Sequence, residues 1–414
     1  MADLRPFKAI RPEKSLVQRV AALPYDVYSR KEAYEVAAKD RLSFLNIDRP
    51  ETQFPEDFDM YSGECYRKAA DMLSEQRKNG IYIQDSVNCY YLYELTMNGR
   101  SQTGLVAVAS IDDYENGIIK KHENTREEKE QDRIRHVDTV GAQTGPIFLA
   151  YRQDTRISAI TCRVKCSEPL YDFISEDGIK HRIWIISDGN DISAIRQAFS
   201  DIGSIYIADG HHRAASAVKV GLKRREEARK CGTYSCDAEY NYFLSVLFPE
   251  NELFIMPYNR VVRDLNGLTE REFLDKISEM FIVTESRTAV APEKKCTFGM
   301  YLSGKWYHLT APEEWKNISN PVKALDVSLL QDNVLEPVLG IKDPRTDKRI
   351  DFVGGIRGLK ELEKRADSDM KVAFSMYPTS ITELFRVSDA GLLMPPKSTW
   401  FEPKLRSGIF IHEI

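Results

Sequence analysis

The sequence predicts an α+β protein, and three observations carry that expectation. Two β-rich runs, residues 89–95 and 103–110, flank Asn98-Gly99, the dipeptide that closes tight hairpins. Short apolar runs at 146–151, 182–186 and 204–209 alternate with charged or amphipathic stretches of helical period. Glycine and proline punctuate the runs, and no stretch approaches the roughly 20 apolar residues that span a bilayer.

The elements follow in order. Ser29 is placed to cap a helix over 30–38, and a second helix over 64–78 stops at Asn79-Gly80. After the hairpin comes a charged helix over 125–136, which opens with the capping-box pattern Thr125-Arg-Glu-Glu. Helices are expected at 192–199 and 214–230. Further on come strands at 242–248 and 253–262, a helix at 270–280, and a strand pair around Ser303-Gly304. The last part is expected to hold helices at 327–335 and 356–365, a strand at 371–376, a helix at 380–387 and a proline-rich end. A length of 414 residues suggests more than one unit. We expect three parts: an N-terminal α/β region over 1–110, a core over 111–235, and a C-terminal α/β region over 236–414.

Composition narrows the function. Hydrophobic residues make up 42% and charged residues 29%, as in a chain with a real core. A net charge of -5 argues against nucleic acid or an anionic membrane as partner. The first twenty residues lack the apolar run of a signal peptide. Seven scattered cysteines suit free thiols in a reducing, cytoplasmic setting. The spacing of His211, His212, Cys231 and Cys236 matches no zinc finger or ribbon. There is no P-loop, Rossmann glycine triplet or serine elbow.

The densest chemistry lies in Ile205-Tyr-Ile-Ala-Asp-Gly-His-His-Arg: a buried strand, a glycine turn and a helix start. Such a turn aims free backbone N–H groups and the positive end of a helix dipole at one point. Gly210 lets a phosphate approach the backbone. Arg213 can grip its oxygens in pairs. His211 and His212 add donors, and Asp209 can hold a divalent metal or orient a histidine. The plainer alternative is that Asp209 caps the helix and the histidines are surface groups.

The segment Asp209–Arg213 resembles the phosphate-binding box of the ParB/sulfiredoxin-like fold, and more closely that of free-serine kinases of that fold. The whole chain is similar to the family catalogued as domain of unknown function 1015, whose members often sit beside serine-biosynthesis genes. Lys121-His122-Glu123, a charged helix and Gly145-Pro146-Ile147 follow the order found in the kinases. The run Pro395-Pro396-Lys397-Ser398-Thr399 resembles their Pro-Lys-Thr-Thr loop, although Trp400-Phe401 stand where the kinases have Arg-His.

The resemblance implies a ParB/sulfiredoxin-like core with a mixed sheet and flanking helices. It implies Glu123 as base on an acceptor hydroxyl, with His122 beside it. Asp209, Gly210, His211, His212, Arg213, Lys397, Ser398 and Thr399 would hold phosphate and nucleotide, and Asp209 would also meet a metal. ATP or ADP would be the donor, Mg2+ would bridge its phosphates, and the acceptor would be an amino acid, first of all free L-serine. The residues alone leave His122 an exposed group and Glu123 a solvated carboxylate in a charge run. They place Arg126, Arg133 and Arg135 on a solvated helix face, with Arg133 meeting an anion only if that helix borders the cleft, and they leave Pro24-Tyr25-Asp26 and Pro257–Arg260 as structural turns first and pocket borders second. Two other functions stay open: a nucleotide- or phosphometabolite-binding regulator without catalysis, and a partner protein of serine metabolism. Assembly into a homo-oligomer is left open.

Overall fold

A computed structural model describes residues 1–414, with thirteen α-helices and a large mixed sheet. The contacts gather into two compact units, one of residues 1–253 with 403–414, the other of residues 254–402. Set beside the three parts expected from the sequence, one sheet runs through both expected boundaries. It takes strands from the first hundred residues, from the middle and from Tyr242–Pro249.

In the first unit the path of that sheet begins at Ile119–Lys120. It continues through Ile205–Asp209, Ile147–Tyr151, Tyr242–Pro249, Arg100–Ser110, Tyr90–Met97 and Lys180–Ile186 to Tyr171–Ile174. Leu4–Arg5 pairs with the end of Arg100–Ser110 beyond the hairpin, setting Leu4 opposite Ala109. The hairpin forms as Asn98-Gly99 requires, with both residues at positive φ. Burial drives the sheet together. Leu92, Leu105, Ala107, Leu149, Trp184, Ile207 and Leu247 share one apolar cluster. A second cluster gathers Phe44, Leu45, Ile47, Leu73 and Tyr82 with Ile411, so the chain terminus closes onto the first eighty residues.

Two pairings position the candidate site. Ile205–Asp209 runs parallel to Ile119–Lys120, with Ile205 opposite Ile119 and Tyr206 opposite Lys120. Extending that register sets Ala208 level with His122, so Lys121-His122-Glu123 and Asp209-Gly210 leave the sheet at the same end. Ile205–Asp209 is antiparallel to Ile147–Tyr151, with a register shift between Ile207 and Asp209. That brings Gly145-Pro146, which lead into Ile147–Tyr151, to the same end.

The second unit holds a six-stranded antiparallel sheet. Its order is Ile282–Ser286, Lys305–Thr310, Thr297–Leu302, Val372–Ser375, Tyr258–Val262 and Ile350–Gly354. Leu359–Ala366 packs Leu362 onto this sheet beside Val261, Val353 and Ala373. Pro257 divides the strand expected at 253–262 into Ile255–Met256 and Tyr258–Val262.

Ser29 caps its helix as expected, and Ser380, expected as the first residue of a helix, is instead the cap of Ile381–Asp389; both make reciprocal glutamate bonds. The pattern at Thr125 fails: the helix begins at Glu127 without a side-chain cap, and Thr125 Oγ1 donates to Glu130 instead. The stretch 327–335 is part α-helix, Asp326–Leu330, and part π-helix, Gln331–Leu335. Thr155–Val164, Tyr171–Ile174, Ile282–Ser286 and Ile350–Gly354 have no counterpart among the expected elements. No helix is long and apolar enough to cross a membrane.

Candidate functional site

The strand Ile205–Asp209 is buried until its last residue, and Gly210 then turns the chain at φ 95°. That left-handed conformation is costly for a residue with a Cβ. A Cβ on Gly210 would also stand 3.1 Å from the Arg213 guanidinium, which folds back over the turn. The helix His211–Cys231 begins at once, and its first intrahelical bond runs from Ala214 N to Gly210 O. No side chain caps this helix, so Asp209 is not its cap. The first-turn N–H groups lack helical partners and present the positive end of a 21-residue dipole.

Three charged groups frame the turn: Asp209, Lys404 and Arg213. Asp209 Oδ2 lies 3.2 Å from Lys404 Nζ and 3.9 Å from Arg213 Nη2. Burial alone would raise the Asp209 carboxyl, but Lys404 and Arg213 outweigh it and hold the carboxyl well below its usual range. Arg213 Nη1 donates to the Pro146 carbonyl at 2.5 Å, tying the helix start to the neighbouring strand. Lys404 stands at the box because residues 403–414 return to the first unit.

The histidines separate into distinct roles. His122, expected to be exposed, is 2% exposed: the parallel pairing carries it inside, where its ring meets that of His211 edge to face at 4.5 Å. Burial pulls its pKa down to about 4, with Asp209 and a bond to the Ile207 backbone opposing. Its Nδ1 is buried without a hydrogen-bond partner. His211 Nε2 accepts from the His122 backbone N–H at 3.4 Å. The neutral ring therefore carries its proton on Nδ1, which faces Glu123 Oε2 at 3.8 Å. Burial, and then His122, hold His211 well below its usual pKa, so it stays neutral. His212 Nε2 accepts from the Arg126 backbone N–H at 2.9 Å and fixes the lead-in to the charged helix. The structure thus brings together His122, Glu123, Asp209, Gly210, His211, His212 and Arg213.

Arg133 departs from expectation. It is buried, ion-paired with Asp132 at 2.8 Å and stacked 4.1 Å from the Tyr25 ring, because Glu127–Val140 packs against the first eighty residues. A cavity bounded by Pro24, Tyr25, Arg133, Thr144, Arg213 and Ser407 adjoins the box. The turn at Pro24-Tyr25 therefore lines a pocket, and sequence period alone could not assign Arg133 to its inner face.

No group of three or more histidine, cysteine, aspartate or glutamate side chains is arranged to hold a metal ion. Asp209, the metal ligand expected from the resemblance, has two cations on one oxygen instead. The residues at the box therefore do not form a Mg2+ cage.

Lys397, Ser398 and Thr399 belong to the unit of residues 254–402. Ser398 is buried, donating to the Pro395 carbonyl at 2.6 Å and accepting from Thr379 Oγ1 through its own carbonyl at 2.9 Å. Lys397 is exposed at φ 58°, and its ammonium lies 5.6 Å from the Tyr258 ring.

Residues 4–328 match the family described as protein of unknown function DUF1015, and the chain belongs to that family. No curated protein matches it. Among solved structures it is similar to a free serine kinase variant in complex with AMP, at 14% identity and TM-score 0.35, over 73% of this chain and 91% of that one. It is similar to a conserved hypothetical protein from Pyrococcus furiosus, at 16% identity and TM-score 0.33, over 74% and 94%. SbnI from Staphylococcus aureus, with a C-terminal truncation, gives 11% identity and TM-score 0.36, over 73% and 85%. Likenesses of this size leave the site's chemistry to its own geometry.

Proposed function

We propose that the chain is a nucleotide-dependent kinase of a small hydroxylated metabolite, with free L-serine as the first acceptor to test. The observation that carries it is the uncapped start of the helix His211–Cys231 behind Gly210, with Arg213 and Lys404 beside it and Glu123 facing His211. Phosphoryl transfer asks for positioning and charge neutralisation, and a helix start with flanking cations supplies both. The sequence resemblance of the box to free-serine kinases supports the same reading and suggests a ParB/sulfiredoxin-like core.

In this reading the box N–H groups and Arg213 hold the donor's phosphates. The acceptor oxygen attacks the terminal phosphorus, the bridging P–O bond breaks, and the nucleotide leaves with its electron pair. Glu123 takes the hydroxyl proton. His211, neutral and with Nδ1–H directed at Glu123, positions that carboxylate, and His122 supports His211 through its backbone and ring. His212 anchors the lead-in to Glu127–Val140. Mg2+ would come with the nucleotide, whose oxygens supply most of its ligands. The resemblance also gives Lys397, Ser398 and Thr399 a phosphate-binding role.

The test is incubation with Mg2+, L-serine and ATP or ADP, reading O-phosphoserine by mass spectrometry, beside Glu123→Gln. Product from the parent that falls at least about 100-fold in Glu123→Gln, with nucleotide still bound, is the expected result. Full turnover in Glu123→Gln removes it from the mechanism. Nucleotide binding without product from any acceptor leaves a non-catalytic binder.

A further inference from the structure

Five arginines of the chain are buried: Arg11, Arg49, Arg133, Arg260 and Arg406. Four lie against carboxylates: Arg11 on Asp85 at 2.7 Å, Arg49 on Glu51 at 2.5 Å, Arg133 on Asp132 at 2.8 Å and Arg406 on Asp177 at 2.5 Å. Electrostatics requires as much, since a buried cation without an acid loses its hydration uncompensated. Arg260 is the exception. It is 3% exposed and donates only to neutral carbonyls, Nη1 to Tyr258 and Nη2 to Lys397 at 3.2 Å. A guanidinium has five N–H donors; with two engaged, three remain, Nε–H among them.

The surroundings are built rather than incidental. The guanidinium carbon sits 5.5 Å from the Phe352 ring, and Tyr258 meets Phe352 and Trp400 edge to face at 5.9 and 5.0 Å. Gly354 and Gly355 admit close approach here: a Cβ would stand 2.8 Å from the Trp400 ring and 2.7 Å from Pro257. Lys397 holds a left-handed backbone that other side chains rarely adopt, and in that conformation its carbonyl accepts from Arg260. Its ammonium faces Tyr258 and has no carboxylate partner. Burial pulls the Arg260 guanidinium down to about 10, with Tyr258 opposing, so it keeps its charge at neutral pH.

We propose that Arg260 and Lys397 form an anion site within residues 254–402 that takes a phosphate group. Two cations without an acid, and a planar fork with three spare donors, suit a tetrahedral dianion better than a single carboxylate. The phosphate comes either as the free ion or as the end of a small phosphomonoester. The site shares Lys397 with the kinase reading but stands on Arg260, and it holds whether or not the box transfers a phosphoryl group.

The test is calorimetric titration of the full chain with inorganic phosphate and, separately, glycerol 3-phosphate. Four proteins are compared: the parent, Arg213→Ala, Arg260→Met and Lys397→Ala, each checked for native circular dichroism. A binding event separate from any at the box, one that survives Arg213→Ala, weakens at least about tenfold in Arg260→Met and weakens in Lys397→Ala, is expected. Tighter binding of the free ion or of the ester identifies the source. Binding abolished by Arg213→Ala, unchanged in a folded Arg260→Met, or absent from the parent overturns the proposal. Should Arg260→Met fail to fold, unchanged affinity in the exposed Lys397→Ala overturns it alone.

Discussion

The box and the Arg260 pocket meet positive charge in opposite ways. At the box the cations are answered by an acid of the same unit: Lys404 and Arg213 share Asp209, and nearby Arg133 lies on Asp132. What remains open there is backbone, the N–H groups of an uncapped helix behind Gly210. At Arg260 the backbone is satisfied and the charge is left over. The contrast separates two routes to an anion. One is a preorganised cradle of dipoles held rigid by internal ion pairs, the other a buried charge that a ligand completes.

The largest effect expected breaks a paired cation. Arg133→Met strips Asp132 of its buried partner and leaves it only the Tyr66 hydroxyl at 2.9 Å. Urea unfolding should show a loss of about 3–5 kcal/mol. A loss below about 1 kcal/mol would mean that the pair is not closed off from water as described.

Next is acid sensitivity. Burial holds His122 at about 4, His181 at about 3 and His211 well below its usual value, so all three are neutral in the fold. Below pH 6.5 the unfolded chain takes protons that the fold refuses. Stability is therefore full above pH 6.5 and falls as pH drops towards 4, by up to about 1.4 kcal/mol per pH unit for each group. His122→Asn should flatten the slope between pH 6.5 and 4 by about one such increment; an unchanged slope would place His122 in contact with water.

Smaller effects are expected at Arg260. Arg260→Met should change unfolding free energy by less than about 1 kcal/mol, because the charge it removes has no acid to leave behind. A loss as large as that of Arg133→Met would erase the contrast. Smallest is Lys397→Gly, which relieves a left-handed backbone at φ 58° and should raise stability by no more than about 1 kcal/mol. A fall in melting temperature would show the side chain holding the loop.

Local chemistry made part of this legible in the sequence. Asn98-Gly99, the helix cap Ser29, and the strand–glycine–helix turn at Asp209–Arg213 all rest on interactions within a few residues. The partners that define the site do not. Lys404 stands 195 residues after the aspartate it pairs with, and His122 reaches His211 only through a parallel pairing of two short strands. Arg133 looked like one charge in a solvated run, and its burial is decided by Tyr25 and by Asp48, whose carbonyl accepts from it. Arg260 stood out only as the end of the aromatic run Pro257–Arg260, which the structure makes part of the strand Tyr258–Val262, and an unpaired charge is visible only once its neighbours are known.

The central claim is that the helix start at Gly210 cradles phosphates. ADP with Mg2+, titrated calorimetrically into the parent and into Arg213→Ala, tests it most directly. The account expects one ADP site at the box, weakened at least about tenfold by the substitution, with the fold intact by circular dichroism. Equal affinity in both proteins, or no ADP binding by the parent, would contradict it.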